Sequence, residues 1–155
     1  MHGELYLVDS NVLIRWVQPE DSQFRVVEQA IHLLGKADAT LCYTSQNLGE
    51  LWNVLTRPAN RNGYGLSPGD ALIRAEQIRG SFCLLPDTPE VHVEWLHLLA
   101  AHGVCGVQVH DARLVAAMHI HGVKRILTFN TRDFVRFTDI EAIHPLDLSN
   151  QVPAE

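Results

Sequence analysis

The sequence of 155 residues has none of the features that would place it at or across a membrane. No run approaches the ~18 apolar residues that a membrane-spanning helix needs. The first residues, Met-His-Gly-Glu, also lack the basic-then-apolar order of a signal peptide. These absences predict a cytoplasmic protein without a membrane partner.

Cysteine is also scarce, and Cys42, Cys83 and Cys105 are widely spaced with no Cys-x-x-Cys pair. This spacing offers neither a common redox motif nor a zinc motif. Cys42 and Cys83 lie in apolar runs, where a free thiol packs as a small hydrophobic side chain. We therefore expect all three cysteines to be structural and these two to be buried.

Basic residues are too few for a uniformly basic surface. The 12 Lys and Arg residues face 18 Asp and Glu residues, and the formal net charge is -6. Such a charge argues against binding nucleic acid through overall electrostatics. If four acids shared one metal-loaded pocket, the rest of the chain would carry only -2, since four of the six net negative charges would be set aside. An RNA-binding protein of this composition would need a local basic rim.

The sequence does contain a regular alternation of short apolar runs and helical patterns, over a length suited to one domain, residues 1–155. The runs typical of buried strands are residues 5–8, 40–43, 82–85, 125–129 and 142–144. Helical patterns begin near Asn11, after Pro19, at Thr44 or Ser45, at Ser67-Pro68, at Thr88-Pro89 and at Asp111, with stop signals at Gly35, Gly103 and Gly122. This alternation predicts an α/β sandwich with a mainly parallel sheet and right-handed crossovers.

Four acids lie where such a fold could bring them together. Asp9 ends the first predicted strand, Asp133 follows the fourth, and ligands of parallel sheets bind at the carboxyl ends of strands. Glu50 and Asp111 lie on predicted helices. Clustered carboxylates need a neutralising cation, and oxygen donors without thiolate or imidazole select Mg²⁺ or Mn²⁺. Such an ion could activate water for phosphodiester hydrolysis.

Each acid also has an ordinary structural explanation. Asp9 and Asp111 could cap helices. Glu50 could lie on the polar edge of a helix that faces the core. Asp133 could cap a short turn that leads into Phe134. Spacing alone leaves the convergence of the four open.

Four sequence segments together are more specific than any one acid. In chain order they read Val8-Asp9-Ser10-Asn11-Val12-Leu13, Gln46-Asn47-Leu48-Gly49-Glu50-Leu51-Trp52, His110-Asp111-Ala112-Arg113-Leu114-Val115-Ala116-Ala117 and Leu127-Thr128-Phe129-Asn130-Thr131-Arg132-Asp133-Phe134. These segments resemble the four motifs of PIN domains in the same order, and the resemblance covers about residues 5 to 145. The short single-domain chain resembles the VapC-type toxins of toxin–antitoxin pairs.

This resemblance implies a fold, an activity and partners. It implies a three-layer sandwich with a five-stranded parallel sheet, Mg²⁺- or Mn²⁺-dependent endoribonuclease activity on RNA, a homodimer, and inhibition by a small cognate antitoxin. The apolar helix face near Leu13, Trp16 and Val17 could bind such a partner, although core is the better interpretation. A DNA-directed nuclease, a phosphatase with the same metal chemistry, and a non-catalytic PIN-fold binding module remain alternatives.

The resemblance also implies roles for individual residues. Asp9 and Asp111 would be direct metal ligands. Glu50 and Asp133 would complete the acidic cluster through water or a second ion, and Glu50 would be the third residue of the metal site.

Three polar residues accompany these acids. The resemblance makes Asn11 and Thr128 polar supports of the site. Many PIN domains have an acid at the place of Asn130, and an amide supplies an oxygen without a charge. This departure makes the role of Asp133 provisional.

Substrate contacts are predicted from basic and aromatic residues. Arg57, Arg61 and Tyr64 lie in a glycine-containing loop and could hold phosphates and stack a base of single-stranded RNA, although an ordinary solvated loop explains them equally well. Arg113 and Arg132 lie beside proposed metal-site residues and could meet a substrate phosphate, with a helix-surface position as the alternative.

Overall fold

The computed structural model describes residues 3–149. The strands are β1 (Leu5–Val8), β2 (Thr40–Thr44), β3 (Cys83–Leu85), β4 (Arg125–Leu127) and β5 (Glu141–Ile143). The α-helices within this range are α1 (Ser10–Trp16), α2 (Phe24–Lys36), α3 (Ser45–Thr56), α4 (Pro68–Ser81), α5 (Pro89–Ala101), α6 (Gln108–His121) and α7 (Pro145–Ser149). Short 3-10 helices occur at Ala59–Arg61 and Thr131–Phe134.

The five strands form one parallel sheet in the order β3-β2-β1-β4-β5. Leu7 at its centre pairs with Cys42 of β2 on one side and with Ile126 of β4 on the other. The predicted α/β class with a parallel, five-stranded sheet is confirmed.

Successive side chains of the central strand point to opposite faces, as the pleat requires. Val8 packs into a core with the buried faces of α1, α2, α3 and α4. Leu7 packs into a second core with α5 and α6. Helices therefore cover both faces of the sheet, which makes a three-layer sandwich and explains why the central strands are apolar throughout.

The strand order reverses direction at β1. The chain first builds β1, β2 and β3 outward, then returns through α5 and α6 to add β4 on the other side of β1. A crevice opens outside the carboxyl ends of parallel strands at such a reversal. Here it lies between the ends of β1 and β4, next to Asp9 and Thr128.

Several predicted boundaries were wrong by one to three residues. Helix α2 continues past the predicted stop at Gly35 to Lys36. Phe82 caps α4 and does not belong to β3. The helix that carries Asp111 starts earlier, at Gln108, so that this acid lies in the first turn. Local signals define helix ends only to this precision, because the last turns are set partly by tertiary packing.

The expectation for the cysteines was wrong in one respect. Cys42 is buried at the centre of the sheet, but Cys83 is exposed. The reason is its strand, because β3 is an edge strand and the neighbouring Leu84 is also 48% exposed. Cys105 is exposed as well.

None of the helices found between residues 3 and 149 is long and apolar enough to cross a membrane.

Candidate active site

Asp9 lies at the end of β1 and caps α1. Its Oδ1 accepts a hydrogen bond of 2.8 Å from the backbone N–H of Ser10. Its Oδ2 accepts one of 2.8 Å from the hydroxyl of Thr128, which follows β4. Asp9 is only 7% exposed, so these bonds hold its carboxylate in one orientation inside the crevice.

Asn11 and Thr128 join the ends of β1 and β4. The Oδ1 of Asn11 accepts a bond of 3.1 Å from the backbone N–H of Phe129, and its Nδ2 donates one of 3.2 Å to the hydroxyl of Thr128. That hydroxyl also accepts from the backbone N–H of Asn130 at 3.0 Å. Both predicted supports therefore contact the surroundings of Asp9, although what they contribute to activity stays a prediction.

Glu50 is held on α3 by two hydrogen bonds from side chains. The hydroxyl of Ser10 donates to its Oε2 at 2.6 Å, and Nε2 of Gln46 donates to its Oε1 at 3.0 Å. Ser10 in turn accepts a bond of 3.1 Å from Nδ2 of Asn47, which is fully buried. Thr44 and Asn47 form the capping box that starts α3. The helix start thus positions Glu50 through Ser10.

Asp111 and Asp133 come from the other side of the crevice. Asp111 lies in the first turn of α6, where its charge also suits the positive end of the helix. Asp133 lies in the 3-10 helix Thr131–Phe134, just beyond β4. No hydrogen bond to either carboxylate occurs among residues 3–149, so both are available to a ligand.

The electrostatics show that the four acids act on one another. Burial raises the pKa of Asp9 to about 6, and repulsion from Glu50 and Asp133 adds to this rise, against the lowering effect of the bonds from Thr128 and Ser10. Burial also raises the pKa of Asp111 to about 7, with repulsion from Asp133, Asp9 and Glu50. No cationic side chain is among the causes of either shift. The structure therefore brings the four predicted acids into one electrostatic neighbourhood.

An open cavity of about 520 Å³ lies at this place. Its walls are Asp9, Ser10, Asn11, Ile14, Arg15, Glu50, Asn53, Val54, Asn62, Gly63, Tyr64, Asp111 and Asn130. Asp133 is not a wall residue, but its charge reaches Asp9 and Asp111.

The donor set of this cavity fits a hard divalent ion. Its acidic donors are carboxylates, and a cation would relieve the burial cost and the mutual repulsion that raise the pKa values of Asp9 and Asp111. Within residues 3–149, however, no three acidic, imidazole or thiol groups already surround a single point as a closed metal site would. An ion bound here would have few protein ligands and would keep waters, as Mg²⁺ commonly does.

The predicted substrate residues are distributed unevenly around this cavity. Tyr64 lines it, whereas Arg57, Arg61, Arg113 and Arg132 do not. Arg57 donates 2.8 Å to the carbonyl of Asn62 within its own loop. Arg113 forms an ion pair of 3.0 Å with Asp87 and lies over the ring of Trp95. Arg57 and Arg113 thus make local structural contacts, and a substrate role for any of the four arginines stays a prediction.

Sequence reasoning missed four polar residues of this site. Ser10, Gln46 and Asn47 orient Glu50, and Arg15 lines the cavity. The motifs quoted above contain Ser10, Gln46 and Asn47, so the sequence could have indicated these residues. It could not have indicated that Ser10 of α1 pairs with Glu50 and Asn47 of α3. The spacing of Arg15 also carried a signal, since it lies one helical turn after Asn11 and therefore on the same face of α1.

Comparisons with known proteins bear on the family and the fold of the chain. The family model described as PIN domain matches residues 6–140. The structure is similar to VapBC2 from Rickettsia felis, solved bound to a DNA fragment from its promoter, with 13% identity, 90% of this chain and 98% of that chain covered, and a TM-score of 0.67.

Two further solved structures are similar. VapC20 from Mycobacterium tuberculosis, described as a toxin that cleaves the sarcin-ricin loop, has 19% identity over 84% of this chain and 94% of that chain, with a TM-score of 0.63. VapBC-1 from nontypeable Haemophilus influenzae has 16% identity over 92% and 98%, with a TM-score of 0.62. A search among curated proteins gave no match. At these identities the solved structures establish the fold alone.

Proposed function

The chain belongs to the PIN-domain family, and from this premise we propose that it is a metal-dependent endoribonuclease, the toxin of a toxin–antitoxin pair. The observation that carries the proposal is the electrostatic coupling of Asp9, Glu50, Asp111 and Asp133 around one crevice. A purely structural role does not explain why a fold would gather four acids without a cation. A reaction that needs a hard metal ion does explain it.

Asp9, Asp111 and Glu50 would hold the ion, which we propose to be Mg²⁺ or Mn²⁺. When bound, such an ion would screen the scissile phosphate, activate water and stabilise the leaving oxygen. Asp133 would add charge to the site without lining the cavity.

The chain's own residues would orient these groups. Thr128 and the N–H of Ser10 fix the two oxygens of Asp9. Ser10 and Gln46 each occupy one oxygen of Glu50, which leaves the remaining lone pairs of that carboxylate for a water in the cavity. In this position Glu50 would accept the proton of the attacking water.

The proposed partners rest on the relatives. VapBC2 and VapBC-1 are toxin–antitoxin proteins, and VapC20 is described as a toxin that cleaves the sarcin-ricin loop. From this likeness we propose a small cognate antitoxin and an RNA substrate for this chain, and from the family resemblance we propose a homodimer. Its cytoplasmic location stays a prediction.

The test compares three substrates under one set of conditions. A single-stranded RNA, the matching DNA and a small phosphate ester are incubated with the protein in Mg²⁺, in Mn²⁺ and in EDTA. We expect cleavage of RNA only, with either metal and not in EDTA. Preferential cleavage of DNA or of the ester would replace the proposal with one of the alternative hydrolases.

Two variants complete this experiment. Asp9→Asn should lower RNA cleavage by about a factor of 10³, because it removes a negative charge that would hold the metal ion, and the ion would stabilise the transition state. Glu141→Gln is the matched control, since this exposed acid lies at the opposite end of the sheet. Unchanged cleavage by Asp9→Asn would contradict the assignment. A wild type that cleaves nothing and gives no heat with Mn²⁺ in calorimetry would favour the non-catalytic binding module.

A further inference from the structure

One basic side chain lines the acidic cavity, and the acids do not neutralise it. Arg15 lies on α1 one turn after Asn11, and of the residues that wall the cavity it alone is cationic. Among residues 3–149 it makes no hydrogen bond or ion pair with Asp9, Glu50 or Asp111. Its charge is therefore not paired with the carboxylates that we propose as metal ligands.

The surroundings of Arg15 hold its guanidinium in place. Nη1 donates a bond of 2.6 Å to the carbonyl oxygen of Asn11. The guanidinium carbon lies 4.8 Å from the centre of the Phe129 ring, a cation–π distance. Phe129 is itself fixed, because its N–H donates to Asn11. Arg15 is thus oriented before any ligand arrives.

The neighbouring acid, Asp21, forms a long ion pair with Arg15 but no hydrogen bond. Nε of Arg15 lies 3.8 Å from Oδ1 of Asp21, too far for a hydrogen bond. Both oxygens of Asp21 already accept other bonds, from the N–H of Gln23 at 2.8 Å and from the hydroxyl of Tyr64 at 2.9 Å. Within the described part of the chain, Nε of Arg15 is buried with no hydrogen-bond partner. Of the five N–H donors of a guanidinium, the Nε–H of Arg15 is buried and one Nη1–H is bound to Asn11, so the donors that remain for a ligand are on Nη1 and Nη2.

Tyr64 is another wall residue of this cavity. Its backbone N–H donates 3.1 Å to the carbonyl of Val54, which holds the loop against α3. The turn before it needs glycine, since a Cβ at Gly63 would lie 1.9 Å from the carbonyl oxygen of Arg57. The Tyr64 ring is therefore fixed at the cavity beside the Asp21–Arg15 pair.

We propose that Arg15 forms a phosphate-binding subsite of the cavity, which takes the backbone phosphate of the nucleotide next to the scissile bond of single-stranded RNA. This inference rests on the proposed function and deepens it. A nucleic acid that enters a pocket walled by three acids, with Asp133 close by, needs an anchor of positive charge besides the metal. The oriented and unsatisfied guanidinium supplies bidentate donors that match a phosphate.

The test measures binding without cleavage. The probe is a fluorescently labelled single-stranded oligoribonucleotide, titrated by anisotropy at several salt concentrations in Mn²⁺. The parent protein carries Asp9→Asn, so that the RNA stays intact. Into it are introduced Arg15→Gln, Arg15→Lys and, as a matched control of equal charge change, Arg79→Gln, which alters an exposed arginine of α4 outside the cavity.

We expect Arg15→Gln to weaken binding about tenfold, since one charge-assisted contact is lost. The loss should be similar for different RNA sequences, because a phosphate contact carries no base information. The slope of log affinity against log salt should fall by about 0.7, the value for one phosphate contact on a single strand. Arg15→Lys should keep the slope while losing part of the affinity, and Arg79→Gln should match the parent.

The outcomes separate this inference from the proposed function. Equal binding by Arg15→Gln and the parent overturns the subsite and leaves the nuclease assignment standing. Weaker binding with an unchanged salt slope, or with a lowered melting temperature shared by Arg15→Lys, also overturns it, because Arg15 would then act through folding. If the parent binds no RNA and the wild type cleaves none in Mn²⁺, the proposed function fails and the subsite falls with it.

Discussion

The two ends of the parallel sheet differ in whether their acidic side chains are exposed and paired with a base. At the amino end, Arg125 of β4 forms ion pairs with Glu4 and Glu141, two acids that are 63% and 62% exposed. At the carboxyl end, Asp9 is 7% exposed and its pKa is raised by burial and by other acids. The acids at the amino end are thus exposed and paired with a base. The acids at the carboxyl end are partly buried and, within residues 3–149, have no paired base.

The comparison shows that cavity size does not mark the site in this protein. The cavity at the amino end is the larger, about 770 Å³ against about 520 Å³ at the carboxyl end. Its wall contains both acids and bases, among them Glu4, Lys124 and Arg125. Clustered acids with raised pKa values are the better indicator, because such groups concentrate at functional sites.

The largest effect should come from the divalent cation that we propose for the four acids. Mn²⁺ at 100 times its dissociation constant should stabilise the wild type by about 2.7 kcal/mol, because it binds only the folded state. For a chain of this size that corresponds to a rise of about 5–10 °C in melting temperature. The rise should vanish in Asp9→Asn and persist in the amino-end control Glu141→Gln, measured by scanning calorimetry. An equal rise in both variants would place the ion elsewhere.

The next effect concerns the side chain that orients Glu50. Ser10→Ala removes the 2.6 Å bond to this carboxylate and the acceptor for Asn47. We expect RNA-cleaving kcat to fall about tenfold, the usual scale for a group that orients a metal-site residue. KM should stay nearly constant, because Ser10 would not touch the substrate. A change confined to KM would show that Ser10 binds RNA instead.

A smaller effect should appear in the stability of the metal-free protein. The pKa of Asp111 is raised to about 7 in the folded state, above its usual value of 3.8. A carboxyl with a raised pKa contributes stability below its unfolded pKa, and this contribution is lost as the pH rises through the folded pKa. The stability that protonated Asp111 contributes should therefore be lost as the pH rises from about 4 to about 7.

Asp111→Asn should prevent this loss of stability at high pH, because an amide does not ionise. In EDTA at pH 8 the variant should exceed the wild type by about 1 kcal/mol, a value reduced for the partial exposure of the group. The difference should shrink toward pH 5, where wild-type Asp111 is protonated. Thermal unfolding at both pH values is the measurement, and a variant that is less stable than the wild type at pH 8 would show that the acids are not in conflict.

The smallest effect should come from the amino end. Arg125→Gln breaks the pairs with Glu4 and Glu141, but exposed ion pairs contribute only about 0.2–1 kcal/mol each. Stability should fall by about 1 kcal/mol or less, and RNA cleavage should not change. A large loss of activity would mean that the two ends are coupled through β4, and the contrast between them would no longer hold.

Much of the fold could be predicted because its signals are local. The apolar runs that became β1 and β2 and the caps at Thr44, Ser67 and Thr88 are visible within a few residues. Edge strands are harder, because an exposed strand can have the same apolar composition as a buried one. This is why Cys83 was expected to be buried and is exposed.

The candidate site divides in the same way. The four acids could be named from the order of their motifs, whereas Ser10 as a partner of Glu50 could not, since the two are 40 residues apart in the chain. Arg15 was missed for a related reason. Its availability to a ligand depends on what its neighbours bind, and a sequence does not show that both oxygens of Asp21 accept hydrogen bonds from Gln23 and Tyr64.

The sequence by itself determined the alternation of strands and helices, the parallel sheet and the four acids, because hydrophobic periodicity and short motifs are properties of neighbouring residues. Only the tertiary structure decided that the chain returns to place β4 beside β1. That return brings Thr128 within 2.8 Å of Asp9 across 119 positions of sequence. It also gave the amino end of the sheet paired charges and the carboxyl end a cluster of acids without a paired base among the described residues. The reason is that the pairing of charges depends on which strand ends become neighbours in space.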